Sequence, residues 1–202
     1  LIEPGSGKVI FEKNSHEKLE PASVTKIMTM LLSMEAVDSG KISLSDKVTV
    51  SENAKKMGGS SMLLDTGEVR TVEDLLKGIG IASGNDAAVA MAEYLGGSEE
   101  AFVNLMNERA IQLGMKNTNF VNSSGLPAEN HYSSSYDIAI MSRELMKHEN
   151  IIPYLTTYMD DMEVGKSKTS IQSMVNTNRL IKDYEGANGI KTGSTSEAKY
   201  CL

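Results

Sequence analysis

The chain has a single cysteine, Cys201, no tryptophan, and only three phenylalanines and three histidines. One cysteine excludes an internal disulfide framework and a cysteine-based zinc site. The histidines, His16, His131 and His148, are scattered, with no His-Glu-x-x-His pattern and no close carboxylate spacing. No metal and no other cofactor is expected. A basic excess is missing as well: 20 Lys and Arg face 27 Asp and Glu, a formal charge of −7 with no basic stripe, so a nucleic-acid partner is not expected. No apolar run approaches the roughly 20 residues that a membrane-spanning helix needs.

What is present is globular in character: 202 residues, 40% hydrophobic and 23% charged, enough for one sizeable domain or two small lobes. Thirteen methionines stand where aromatic residues would otherwise fill a core, so an aliphatic, Met-rich interior is expected. Neither an initiator Met nor a signal peptide opens the chain, and Tyr200-Cys201-Leu202 reads as a buried strand cut short, so a piece of a longer protein is expected at both ends.

Leu1 to Phe11 reads as a β-hairpin around Pro4-Gly5-Ser6-Gly7. Gly5-Ser6-Gly7-Lys8 is no phosphate loop, because Ile2 and Val9 occupy the positions that need Gly and Ser or Thr. From Ser23 the pattern turns helical, through Val24, Ile27, Met28, Leu31 and Leu32 to a stop at Asp38-Ser39-Gly40. Thr71 and Asp74 resemble a capping box ahead of Val72, Leu75, Leu76 and Ile79. Further helices are expected after Asn85, from Ser98 to Gly114, and from Tyr136 to Lys147, with a polar loop over 117–135. Past Pro153 the chain turns β-like at Met162-Glu163-Val164 and Gly189-Ile190-Lys191, and Asp160-Asp161 reads as a solvated turn. The fold class is therefore α/β (α+β): an antiparallel sheet flanked by helices, with an inserted helical lobe. The sheet lobe is expected at about 1–22 and 155–202, the mainly helical lobe at about 23–154.

Three short motifs carry the chemistry. Ser23-Val24-Thr25-Lys26 places a hydroxyl and an amine about 300° apart on a helix, hence on one face and one turn from each other. Burial among Val24, Ile27 and Met28 would lower the lysine pKa and make it a base for the serine. At a helix N-terminus the Ser23 N–H is free to stabilise an oxyanion. Ser83-Gly84-Asn85 can bring a proton-relaying hydroxyl and a substrate-holding amide into one cleft. Lys191-Thr192-Gly193 offers a cation and a hydroxyl to a carboxylate, and its Gly lets a substrate backbone approach. Singly, each has an ordinary reading: Ser23 as an N-cap, Ser83 with Asp86 as a capping box, Lys191 as an edge-strand lysine. Ser15…Lys18 and Ser196…Lys199 repeat the first spacing.

Together and in this order, the three motifs resemble those of the penicillin-recognising serine enzymes, and the chain resembles the D-alanyl-D-alanine carboxypeptidases among them. Met57-Gly58-Gly59-Ser60-Ser61-Met62, Asn122-Ser123-Ser124-Gly125-Leu126-Pro127 and His131-Tyr132-Ser133 are similar to family segments too. The resemblance implies a penicillin-binding, transpeptidase-like fold and Ser23 as the acyl-ester nucleophile, with Lys26 as its base. Ser83 would relay protons, Asn85 orient substrate, Lys191 and Thr192 bind the terminal carboxylate beside Gly193, and the Ser23 and Ser194 N–H groups form the oxyanion hole. It implies a peptidoglycan pentapeptide substrate that loses its terminal D-alanine, β-lactam antibiotics as covalent inhibitors, and no cofactor. It further implies an exported, extracytoplasmic protein at the outer face of the cell membrane, tethered only outside this stretch. The family's sheet continues past Leu202 with another basic residue and a second domain, and Lys199 stands where a small residue is usual.

Two other readings remain. A β-lactamase needs a Glu-x-x-x-Asn element, and the one match, Glu100…Asn104, falls inside a regular helix. A non-catalytic scaffold would not need the complete set of Ser23, Lys26, Ser83 and Lys191. Away from the motifs, His131 is expected to be an exposed loop histidine and Cys201 a buried strand residue rather than a nucleophile.

Overall fold

The computed structural model describes residues 1–167 and 170–202. A short 3-10 turn, Ala22–Thr25, leads into helix α1 (Lys26–Asp38). Helices α3 (Val72–Gly80), α4 (Asn85–Gly96), α5 (Glu99–Gln112) and α6 (Ser135–Leu145) follow, with the short α2 (Glu52–Lys55) before them. Helix α1 lies against α3, α4, α5 and α6. It is apolar nearly all round, with Ile27, Met28, Met30, Leu31 and Met34 buried, as a helix at the centre of a core must be. In α4, Ala87, Ala88, Ala90 and Ala92 are buried, and these small side chains let neighbouring helices come close. Met62, Met91, Met106 and Met141 complete the methionine-rich interior with Phe102 and Phe120.

Local signals set the helix starts. Thr71 and Asp74 form the reciprocal capping box at α3, and Ser98 and Ser134 accept from the N3 amides of α5 and α6. Among the described residues the strands form three separate two-stranded antiparallel ladders: β1 (Lys47–Thr49) with β2 (Val69–Thr71), β3 (Met159–Val164) with β4 (Ser170–Val175), and β5 (Gly193–Thr195) with β6 (Lys199–Cys201). Short helices α7 (Ile152–Thr156) and α8 (Leu180–Asp183) flank the second ladder.

The hairpin over Leu1–Phe11 is present in short form, with the antiparallel bridge Ile2↔Val9 flanked by Glu3 N–H to the Lys8 carbonyl and Ile10 N–H to the Leu1 carbonyl, both at 2.9 Å. Several expectations for later segments need correction. Asp160 and Asp161 lie within β3 rather than in a turn, and Asp161 accepts from Ser173 Oγ across the ladder at 2.5 Å. Gly189-Ile190-Lys191 is not a strand; the ladder starts only at Gly193. At the chain's end the strand is present but exposed: Tyr200 is 94% accessible and Cys201 only half-buried. At 189–191 the short-range pattern indicated extended chain and at 160–161 a turn, whereas pairing depends on a partner strand elsewhere.

Candidate active site

The Ser23 turn, the start of α4 and strand β5 meet at a cleft of about 510 Å³, lined by Ser23, Ser60, Ser83, Thr177, Thr192, Gly193 and Ser194 among others. Ser23 is not an N-cap of a regular helix. It sits in the 3-10 turn, one residue after Ala22, whose φ of +47° is strained for a residue with a Cβ. The Ser23 amide has no acceptor among the described residues. Two other segments press on this turn. A Cβ on Gly193 would lie 2.9 Å from the Ser23 nitrogen, and one on Gly125 only 1.8 Å from the Ala22 carbonyl oxygen. Gly193 is therefore required by the close passage of β5 over the Ser23 turn, before any substrate is considered.

Lys26 lies one turn on, fully buried. Its Nζ is 3.0 Å from Ser23 Oγ, 2.6 Å from Asn85 Oδ1 and 2.6 Å from the Ser124 carbonyl oxygen. Burial, reinforced by the charge of Lys191 and partly offset by Asp86, pushes the Lys26 ammonium well below its ordinary value. A neutral amine has two N–H groups and one lone pair. Asn85 and Ser124 take the two N–H groups, which leaves the lone pair for the Ser23 hydroxyl proton.

Asn85 is held in turn: its Nδ2 donates to the Gly58 carbonyl at 2.7 Å and its backbone N–H to the Ser60 carbonyl at 2.7 Å. Ser83, buried at the cleft, has a φ of +60°, another strained backbone at the site. The capping-box reading of Ser83 with Asp86 is not realised. Asp86 instead accepts from the Met62 and Leu64 amides at 3.0 and 3.1 Å and from Ser61 Oγ at 2.6 Å, fixing the loop that carries Gly58 and Ser60.

Lys191, 3% exposed, donates to the Thr192 carbonyl at 2.9 Å, and burial pushes its ammonium down to about 8. Thr192 Oγ1 is 2.6 Å from Thr177 Oγ1. All eight residues singled out from the sequence thus converge: Ser23, Ser83, Thr192, Gly193 and Ser194 line the cleft, Lys26 bonds to Ser23 and Asn85, and Lys191 adjoins Thr192.

Sequence reasoning missed the supports. The Ser124 carbonyl, Asp86 and Thr177 carry no local signature of their roles. His131 is the clearest correction: it is buried, not an exposed loop residue. Its Nδ1 accepts from the Val121 amide at 2.9 Å and its Nε2 is 2.8 Å from Thr25 Oγ1, so the ring ties the 121–131 loop to the Ser23 turn. A ring whose Nδ1 accepts must carry its proton on Nε2, and burial accordingly pushes His131 down to about 4.

Comparison with known proteins agrees with this geometry. A family model described as D-alanyl-D-alanine carboxypeptidase matches residues 1–202. The chain is 59% identical over 202 residues to the D-alanyl-D-alanine carboxypeptidase DacF of Bacillus subtilis, covering 100% of this chain and 51% of that protein. To DacC of Escherichia coli it is 40% identical over 209 residues, covering 100% and 51%. The chain spans about half the length of these curated relatives. Among solved structures, the carboxypeptidase DacD from Francisella tularensis superposes with a TM-score of 0.95 at 30% identity, covering 100% of this chain and 60% of that one. A single-residue variant of a Streptomyces DD-transpeptidase gives 0.90 at 31% identity, covering 100% and 81%.

Proposed function

The chain belongs to the D-alanyl-D-alanine carboxypeptidase family, and from that premise we propose that residues 1–202 form the catalytic domain of a serine peptidase that removes the terminal D-alanine from peptidoglycan stem peptides. The observation that carries this reading is a fully buried lysine amine 3.0 Å from a cleft-lining serine hydroxyl, with its other hydrogen-bonding positions filled. Ser23 Oγ attacks the carbonyl carbon between the two terminal D-alanines and its proton passes to Lys26 Nζ. The N–H groups of Ser23 and Ser194 receive the oxyanion. The C–N bond then breaks, Ser83 relays the proton to the departing D-alanine amine, and an ester on Ser23 remains for water to hydrolyse. Asn85 orients the peptide, and Lys191 and Thr192 hold its terminal carboxylate.

Penicillins present a strained amide and a carboxylate to the same groups, so we assign them as covalent inhibitors. Such a protein works outside the cytoplasm, at the outer face of the cell membrane, and we assign its attachment there to a segment outside residues 1–202. The β-lactamase alternative gains nothing: Glu100 is exposed on α5, outside the residues that line the cleft. Intact-mass analysis after penicillin treatment tests the reading. An adduct on wild type and none on Ser23→Ala is expected; an adduct that survives the substitution removes Ser23 as the nucleophile.

A further inference from the structure

Thr177 lines the same cleft as Ser23 and Thr192, yet neither a motif nor a helix face marks it in the sequence. Its position is built with care. On one side, buried Asn176 donates to the Leu155 and Thr157 carbonyls at 3.2 and 3.0 Å and accepts from the Asn178 amide at 2.9 Å. On the other, buried Asn178 donates to the Gly189 carbonyl at 3.0 Å and accepts from the Leu180 amide at 3.1 Å. Two asparagines turned inward leave the intervening threonine turned out, to the cleft. The segment 189–192 is thus tied to this turn twice, at Gly189 by Asn178 and at Thr192 by Thr177.

Two hydroxyls 2.6 Å apart share one hydrogen bond, and either can donate. Each has one proton. If Thr192 gives its proton to Thr177, none remains for a ligand. If Thr177 gives its proton to Thr192, the Thr192 proton is free to point into the cleft, and its oxygen is polarised by the bond it accepts. A carboxylate, which only accepts, selects the second arrangement; a neutral amide, which can also donate, has no such effect.

We propose that Thr177 is a specificity-determining positioning residue for the ligand's carboxylate, acting through Thr192 by donating to its hydroxyl. This rests on the reading in which Thr192 receives the terminal carboxylate. Nothing in the Thr177 contacts requires it to touch the ligand itself.

The test uses second-order acylation rates of the full-length protein with a penicillin and with the same penicillin bearing an amidated carboxylate. Thr177→Val keeps the shape and removes the hydroxyl. With the penicillin it should lower the rate roughly three- to tenfold, the worth of one neutral hydrogen bond. Thr177→Ser should restore the rate, and the amidated ligand should be indifferent to both. Added to Thr192→Val, Thr177→Val should cost nothing more. Equal losses with the two ligands would reduce Thr177 to a structural residue. A loss that persists in the Thr192→Val background would mean direct contact with the ligand and would overturn the relay. A Thr192→Val protein that keeps the full preference for the carboxylate would show instead that the underlying assignment of Thr192 is wrong, and the relay falls with it. Melting temperatures of all variants separate these outcomes from misfolding.

Discussion

Lys26 Nζ stands 2.6 Å from Asn85 Oδ1, an uncharged partner that does not oppose the preference for the neutral amine that burial imposes. A neutral acceptor takes one amine hydrogen without paying a charged lysine the attraction that a carboxylate would. Because Asn85 Nδ2 is committed to the Gly58 carbonyl, the amide cannot turn its other end to the lysine. Asn85→Asp should therefore raise the Lys26 pKa, since an adjacent carboxylate favours the charged form. The acid limb of the acylation rate against pH should move to higher pH, and an unmoved limb would show that another group controls it.

The two buried lysines predict a pH window. In the proposed mechanism acylation needs Lys26 neutral and Lys191 charged, so the rate should rise as Lys26 loses its proton and fall as Lys191 does, near pH 8. Lys191→Met should abolish the alkaline limb. It should also shift the acid limb upward, because the Lys191 charge is one of the causes that lower Lys26.

Stability should respond with the opposite sign to activity. Lys191 titrates at about 8 in the folded chain against 10.5 ordinarily, so between those values the unfolded chain binds more protons. The cost of burying the charge is fully present below pH 8 and is relieved as pH rises toward 10.5. Thermal melts should show wild type gaining on Lys191→Met across that window. Parallel melting curves at every pH would contradict a buried cation here.

His131 supplies an independent acid-side effect. Its folded value of about 4 lies below the ordinary 6.5, so stability should fall as pH drops from about 6.5 and level off below about 4. The difference between wild type and His131→Gln isolates this contribution from those of the carboxylates. A difference that does not change between pH 4 and 6.5 would remove the buried neutral imidazole.

Gly125 and Gly40 form a matched pair. Both have positive φ, +86° and +71°, but a Cβ on Gly125 would strike the Ala22 carbonyl, whereas one on Gly40 meets nothing within 4 Å. Gly40→Ala should lower the melting temperature by only a few degrees, the cost of about 1–2 kcal/mol for a left-handed residue, with acylation intact. Gly125→Ala should cost clearly more stability and also slow acylation, because it displaces the turn that holds Ser23. Equal effects on acylation would show that the turn tolerates the displacement.

Residue chemistry and local spacing determined much of this protein by themselves. A serine three residues before a lysine at the head of an apolar helix, the Thr71–Asp74 capping box, the Ser98 and Ser134 caps and the Met-rich core are all short-range facts, legible because a helix brings residues three and four apart together. Tertiary structure alone decided the rest. That Lys26 has a third partner depends on Ser124, 98 residues away, and that His131 is buried depends on Thr25, 106 residues away. Asp86 accepts from the Ala87 amide of its own helix but also from the 61–64 loop, and Thr177 reaches Thr192 from a turn that flanking asparagines anchor. Such contacts join segments whose separation along the chain has no period to read. They arise when helices and loops pack and every buried polar group must find a partner.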